Sequence, residues 1–214
     1  MLDVSHITPG ELVKPFGPSM PADWVEALAW SGGCAGVVLK PCCLWMTGYS
    51  GAGKTTLAHA LRDRLNADGV VRLVVLDGDE AQGGMCKDLG SGATDRVELS
   101  RRMAAVAHML VRHGLVVVVS TMSPLRAARS RARALFDAGA FIEVHVATPL
   151  ETCMARDVKG LYRKARFGAL CKLPGVDAAY EEPLNPEIRV LGEGEMAGLV
   201  SQLLAGCIQG AHDA

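Results

Sequence analysis

The residues Gly48-Tyr49-Ser50-Gly51-Ala52-Gly53-Lys54-Thr55-Thr56 declare a chemistry on their own. Their spacing is that of a phosphate-binding loop, G-x-x-x-x-G-K-[ST]. The glycines let backbone N–H groups turn inward and cradle phosphate oxygens. Lys54 then reaches the β- and γ-phosphates of ATP, and the Thr55 hydroxyl holds Mg²⁺. The pattern assigns Gly48, Ser50, Gly51, Ala52, Gly53, Lys54, Thr55 and Thr56 to the nucleotide. The flanks agree: apolar residues run through Val37-Val38-Leu39 and Cys42 to Thr47, and Leu57, Ala58, Leu61 and Leu65 follow at helical spacing. A strand leading into a helix puts the phosphates on the helix N-terminus, where unpaired N–H groups and the dipole favour an anion.

Further groups with chemical potential lie at predicted strand ends. Asp77-Gly78-Asp79 offers two carboxylates. One would take a proton from an attacking hydroxyl and the other would orient Mg²⁺. Composition and spacing do not say which does which. Ser123-Pro124 follows a third apolar run, and its hydroxyl is expected to face the active edge. Arg96, Arg101 and Arg102, and Arg126, Arg129, Arg131 and Arg133, lie on two predicted helices that start near that edge. Guanidinium groups near the helix starts suit an anionic acceptor, and Arg131 and Arg133 are expected at the surface. A second basic stretch, Arg156 to Arg166, precedes Gly168, Pro174-Gly175 and Tyr180-Glu181-Glu182-Pro183. It reads as a lid whose cations neutralise the transferring phosphoryl group and exclude water.

The elements that must position these groups alternate. Strands are predicted at 42–47, 71–76, 115–120, 141–147 and 188–191, and helices at 54–67, 95–113, 124–138, 149–156 and 195–209. Asp95 and Glu98 have capping-box spacing, and Gly69, Gly114 and Gly139 stand where helices end. Strands apolar on both faces and joined by helices imply an α/β, three-layer phosphate-loop NTPase fold, with a mainly parallel sheet and helices on each side. Ligands then bind beyond the carboxyl ends of the strands. Residues 1–35, punctuated by prolines, read as an N-terminal extension with one short helix at Pro21–Trp30, and 36–214 as the kinase domain.

Composition bounds the rest. The chain has 214 residues, half of them apolar, and a net charge of −1, so no strong field draws it to nucleic acid or to a membrane surface. Its seven cysteines form no C-x-x-C or zinc spacing, which fits reduced thiols in a cytoplasmic protein. No basic and apolar leader opens the sequence, and the longest apolar run is too short to span a bilayer.

Taken in order, these motifs resemble the adenylyl-sulfate (APS) kinase family. The resemblance rests on Asp77-Gly78-Asp79, Asp88-Leu89-Gly90, Asp95-Arg96, Ser123-Pro124, Thr148-Pro149-Leu150-Glu151-Thr152-Cys153, Arg156-Asp157-Val158-Lys159-Gly160-Leu161-Tyr162, Lys164-Ala165, Tyr180-Glu181-Glu182-Pro183 and Asn185-Pro186-Glu187, and covers about 42–190. It implies transfer of the γ-phosphoryl of MgATP to the ribose 3′-hydroxyl of APS. It further implies Asp77 or Asp79 as base or metal orienter, Arg156 against the adenine of ATP, and Asp79, Arg96, Arg101, Ser123, Lys159 and Leu161 at the acceptor. Ser123 matches a serine that is phosphorylated, or lies beside the phosphoryl path, in some members. The family is often dimeric, so a homodimer is the assembly to test.

The chain departs from the family pattern on the acceptor side. Gln82 stands where the family has arginine, Cys86 where it has asparagine, Ser91 where it has phenylalanine, and Leu99 where it has asparagine. Leu173-Pro174 replaces an aromatic residue near the lid. Gln82 and Cys86 are expected in the stretch that touches the acceptor. Three readings follow: an APS kinase, a divergent kinase for another nucleotide or small anionic alcohol, and a nucleotide-binding protein without turnover.

Overall fold

The computed structural model describes residues 40–67, 73–192 and 194–209. The chain divides between Val38 and Leu39. The N-terminal extension with its expected helix, and the expected helix-terminating Gly69, lie outside the described residues.

Five strands build the sheet: β1 (Cys43–Thr47), β2 (Leu73–Asp77), β3 (Val116–Ser120), β4 (Phe141–Val146) and β5 (Ile188–Val190). They lie in the order β2-β3-β1-β4-β5, and every pairing is parallel. The helices are α1 (Lys54–Ala67), α2 (Gly78–Gly83), α3 (Ala93–Arg112), α4 (Arg126–Arg133), α5 (Leu150–Arg156), α6 (Leu161–Arg166) and α7 (Met196–Gln209). Parallel neighbours need crossover connections, and here helices provide them on both faces.

Alternation along β1 divides the core. Leu44 and Met46 face one layer, with Leu57, Leu61 and Leu65 of α1 and Leu199 and Leu203 of α7. Cys43 and Trp45 face the other, with Leu99, Met103 and Ala107 of α3 and Phe141 of β4. The Trp45 ring stacks on Phe141 with centroids 5.7 Å apart. Each fully buried leucine contributes about 1.5–3 kcal/mol relative to exposure. The central strand is therefore fixed from both sides, and so is the loop that leaves it.

Several boundaries differ from the sequence reading. The helix expected from residue 124 starts at Arg126, with Leu125 as its N-cap, and ends at Arg133. Phe136 then turns inward to meet Phe141, with ring centroids 5.3 Å apart, which interrupts the helical path. Helix α3 starts two residues early, and Asp95 serves as its third residue, accepting the Gly92 N–H at 3.2 Å. Glu98 pairs instead with Arg101 and Arg102. Helices α2 and α6 were not anticipated; each spans six residues.

Candidate active site

The phosphate loop leaves β1 between β3 and β4, at the carboxyl edge of the sheet. Gly48 has φ 153, and a Cβ there would sit 2.5 Å from the Val146 carbonyl oxygen. The loop therefore lies too close to β4 for any larger residue. Beneath it, the Thr148 hydroxyl donates to the Ala52 carbonyl at 2.8 Å and accepts the Gly192 N–H at 3.1 Å. A Cβ on Gly192 would fall 2.1 Å from the Ala52 oxygen. Arg156, expected against adenine, donates to the Gly51 carbonyl at 3.4 Å and to the Gly192 carbonyl at 3.2 Å. The Tyr162 hydroxyl donates to the Ser50 carbonyl at 2.9 Å. Thr148, Tyr162 and Gly192 thus support the loop, roles that the motif spacing did not reveal. Each contact is long-range, so no local pattern could have shown it.

Lys54 opens α1 and is 9 % exposed. Its ammonium donates to the Gly48 and Tyr49 carbonyls at 2.9 and 2.7 Å. Burial, and then the charge of Lys159, push its pKa down to about 8. The Thr55 hydroxyl donates to Asp77 Oδ2 at 2.7 Å and lies 3.2 Å from the Ser120 hydroxyl. Asp77 Oδ1 accepts the Asp79 N–H at 2.8 Å, capping α2. Burial acts to raise the Asp77 pKa, but the Thr55 hydroxyl, the Asp79 N–H, the Lys159 charge and the Ser120 hydroxyl outweigh it and hold the carboxyl below its ordinary range. Asp79 differs: its side chain is 60 % exposed and pairs with Lys159 across the cleft. The structure therefore brings together Lys54, Thr55, Asp77, Asp79 and Lys159.

An oxygen set consisting of one carboxylate and two hydroxyls, beside a phosphate cradle, fits Mg²⁺. This ion is bound through one or two carboxylates plus substrate phosphates and water. Among the described residues no group of three or more His, Cys, Asp or Glu gathers to hold a metal alone. The remaining ligands would come from the nucleotide and water.

The acceptor side departs from expectation at several positions. The Ser123 hydroxyl does not face the active edge. The residue is 2 % exposed, and its Oγ accepts from Trp45 Nε1 at 3.0 Å. Arg129 is not available to a ligand; it is buried and paired with Glu143 at 2.5 Å. Arg126 donates through Nε to the Glu182 carbonyl at 2.7 Å. Arg133, expected at the surface, is half-buried and paired with Glu187 at 2.6 Å. Apposed glutamates explain all three shifts, because a guanidinium finds a carboxylate or carbonyl within the fold before it finds solvent. Arg101 is exposed and paired with Glu98 at 2.7 Å. Arg96 reaches the Lys172 carbonyl at 3.1 Å, tying α3 to the lid. Leu161 packs partly buried against the core layer containing α1.

The substituted positions split into two groups. Gln82 and Ser91 are exposed, whereas Cys86 is fully buried and Leu99 is 6 % exposed in the same apolar cluster as Trp45. Cys86, expected to touch the acceptor, is a core residue.

Comparison with known proteins agrees with this geometry. Residues 40–191 match the family described as adenylylsulphate kinase. An adenylyl-sulfate kinase of Shewanella halifaxensis is 51 % identical over 166 residues, covering 77 % of this chain and 80 % of that protein. One from Yersinia pestis is 48 % identical over 161 residues, covering 75 % of each. The Mycobacterium tuberculosis APS kinase CysC, solved with AMPPNP and APS, superposes with a TM-score of 0.73 at 36 % identity, covering 79 % of this chain and 98 % of that one.

Proposed function

The chain belongs to the adenylylsulphate kinase family, and from that premise we propose that it phosphorylates the ribose 3′-hydroxyl of APS with MgATP to give PAPS and ADP. The observation that carries this reading is the meeting of Lys54, Thr55, Asp77, Asp79 and Lys159 at one strand edge, in a chain about half identical to named APS kinases.

The loop N–H groups from Gly48 to Thr56 and the N-terminus of α1 hold the β- and γ-phosphates. Lys54 exchanges its carbonyl partners for phosphate oxygens and stabilises charge on the transferring group. Thr55 and Asp77 would hold Mg²⁺, which supplies charge neutralisation on the β- and γ-oxygens when bound. The two carboxylates then divide their labour. Asp77 is anionic and saturated with donors, a poor proton acceptor and a good metal neighbour. Asp79, open to the cleft, takes the proton from the 3′-hydroxyl as its oxygen attacks the γ-phosphorus and the β,γ-bridging bond breaks. Lys159 leaves Asp79 and follows the charge onto the phosphoryl group. Arg156 flanks the adenine side, and Arg96, Arg101 and Leu161 border the acceptor. Ser123 shapes the site from within.

A homodimer in the cytoplasm completes the reading. The family resemblance supports the dimer, and the free thiols of Cys42, Cys43, Cys86 and Cys171 among the described residues fit a reducing compartment. Among the described residues no helix is long and apolar enough to cross a membrane. The test is ADP release by the full chain with MgATP, with and without APS. APS-dependent release upholds the proposal. Release only with another alcohol points to a divergent acceptor, and nucleotide binding without release points to a protein without turnover.

A further inference from the structure

The turn that follows β3 is held in an unfavourable shape. Ser123 has φ 38, the left-handed region that non-glycine residues rarely adopt. Such a conformation persists only where its surroundings over-determine it. Here the Trp45 indole N–H and the Ser100 hydroxyl meet the Ser123 hydroxyl at 3.0 and 3.4 Å. The Thr47 hydroxyl donates to the Met122 and Ser123 carbonyls at 2.7 and 3.3 Å. Arg129 Nη1 donates to the Ser123 carbonyl at 2.7 Å.

Arg129 does more than close the turn. Its Nη2 donates to the Glu181 carbonyl at 2.7 Å, and its Nε to Glu143 at 2.5 Å. The Glu181 N–H returns a bond to the Pro124 carbonyl at 2.8 Å. One planar cation thus ties β4, the strained turn and the exit of the lid. Strand β3 lies between β1, which feeds the phosphate loop, and β2, which ends at Asp77. The turn therefore sits beside the groups assigned to phosphoryl transfer.

We propose that Arg129 is a positioning residue for the acceptor: through the Ser123 and Glu181 carbonyls it fixes the turn and the lid root at one separation, against which the incoming hydroxyl is presented. An ion pair with Glu143 needs only one edge of a guanidinium. The other two nitrogens, Nη1 and Nη2, each donate to a carbonyl, a task that the rigid fork of arginine performs and the single ammonium of lysine does not. This inference rests on the proposed kinase reading, because only a bound acceptor gives the separation a consequence.

Two variants test it. Arg129→Lys keeps a cation beside Glu143 but cannot span both carbonyls. Glu143→Gln keeps the guanidinium and both carbonyl bonds. For Arg129→Lys we expect kcat/KM for APS to fall roughly 10- to 100-fold, as misplacement near 1 Å does, while KM for ATP stays within about twofold. For Glu143→Gln we expect a lower Tm, because the charge is removed from a largely buried pair, with kcat/KM for APS within about threefold of the parent, since an amide oxygen there still accepts the Arg129 Nε–H and leaves both carbonyl bonds in place. A readout independent of turnover is the indole ¹H–¹⁵N resonance of Trp45, assigned by its loss in Trp45→Phe. It should shift in Arg129→Lys and hold in Glu143→Gln. An unmoved resonance in Arg129→Lys overturns the proposal, as do equal losses for ATP and APS in both variants. If the parent protein fails to turn over APS, the kinase reading falls, and the resonance alone decides whether Arg129 sets the turn.

Discussion

The hydroxyl of Tyr162 lies 2.9 Å from the Ser50 carbonyl oxygen and donates to it in the protein interior, across 112 positions of sequence. Lid and phosphate loop are therefore not independent. Removing the donor leaves a buried carbonyl without its partner, which costs about 1–3 kcal/mol. We predict that Tyr162→Phe lowers stability by that amount and raises KM for ATP several-fold with little change in KM for APS. Urea denaturation and initial-rate kinetics check it; a variant with parental ATP affinity would refute the coupling.

Lys54 gives a pH signature. Its pKa is pushed from 10.5 to about 8, first by burial and then by Lys159. A lysine depressed in the fold binds fewer protons than in the unfolded chain, so its contribution to stability rises with pH between about 8 and 10.5. Triphosphate should restore its charge. MgATP binding should therefore take up roughly 0.9 proton at pH 9 and about 0.1 at pH 7. Calorimetry in two buffers of different ionisation enthalpy measures this, and Lys54→Ala should abolish both the uptake and phosphoryl transfer. Buffer-independent heats at pH 9 would count against the assignment.

The two carboxylates of the Asp-Gly-Asp turn should separate by mutation. Asp77→Asn removes the anion beside Thr55 and should raise the Mg²⁺ concentration needed for half-maximal rate. Asp79→Asn should lower kcat by roughly 10²–10⁴, the usual worth of a positioned base, with the Mg²⁺ dependence unchanged. Chelation of Mg²⁺ by EDTA should stop turnover in all forms. Exchange of the two phenotypes would reverse the roles.

On the acceptor side, Gln82→Arg should lower KM for APS, since the position is exposed and a guanidinium there gains an anionic partner. Cys86→Asn should behave otherwise. Its site is fully buried beside Leu99 and Trp45, and an amide placed there without partners costs about 1–3 kcal/mol. Thermal unfolding of both single variants distinguishes them; a Cys86→Asn protein of parental Tm would mean that the apolar cluster accommodates the amide.

The nucleotide side was legible because its chemistry is contiguous. The loop from Gly48 to Thr56, the strand before it and Leu57, Ala58, Leu61 and Leu65 after it all obey local spacing. The placement of Asp77 and Asp79 at or just beyond the end of β2 was legible for the same reason, although only the structure separates a saturated carboxylate from an open one. The arginines after Pro124 were misjudged. Spacing places Arg126 and Arg129 on a helix near the edge, but the groups that claim their guanidiniums, the Glu182 carbonyl after the lid and the Glu143 carboxylate on β4, come from distant segments. Ser123 was misjudged because its hydroxyl partner, Trp45, lies 78 positions away. Helices α2 and α6 escaped because six residues hold too little periodicity to register.

Gly192 has one more implication. It abuts Ala52 and Thr148 so closely that no side chain fits, and its carbonyl receives Arg156. The cradle formed early in the sequence is thus underpinned by a residue made near its far end. During synthesis a ribosome-bound chain has no finished nucleotide grip until translation has passed that glycine and the exit tunnel has released it.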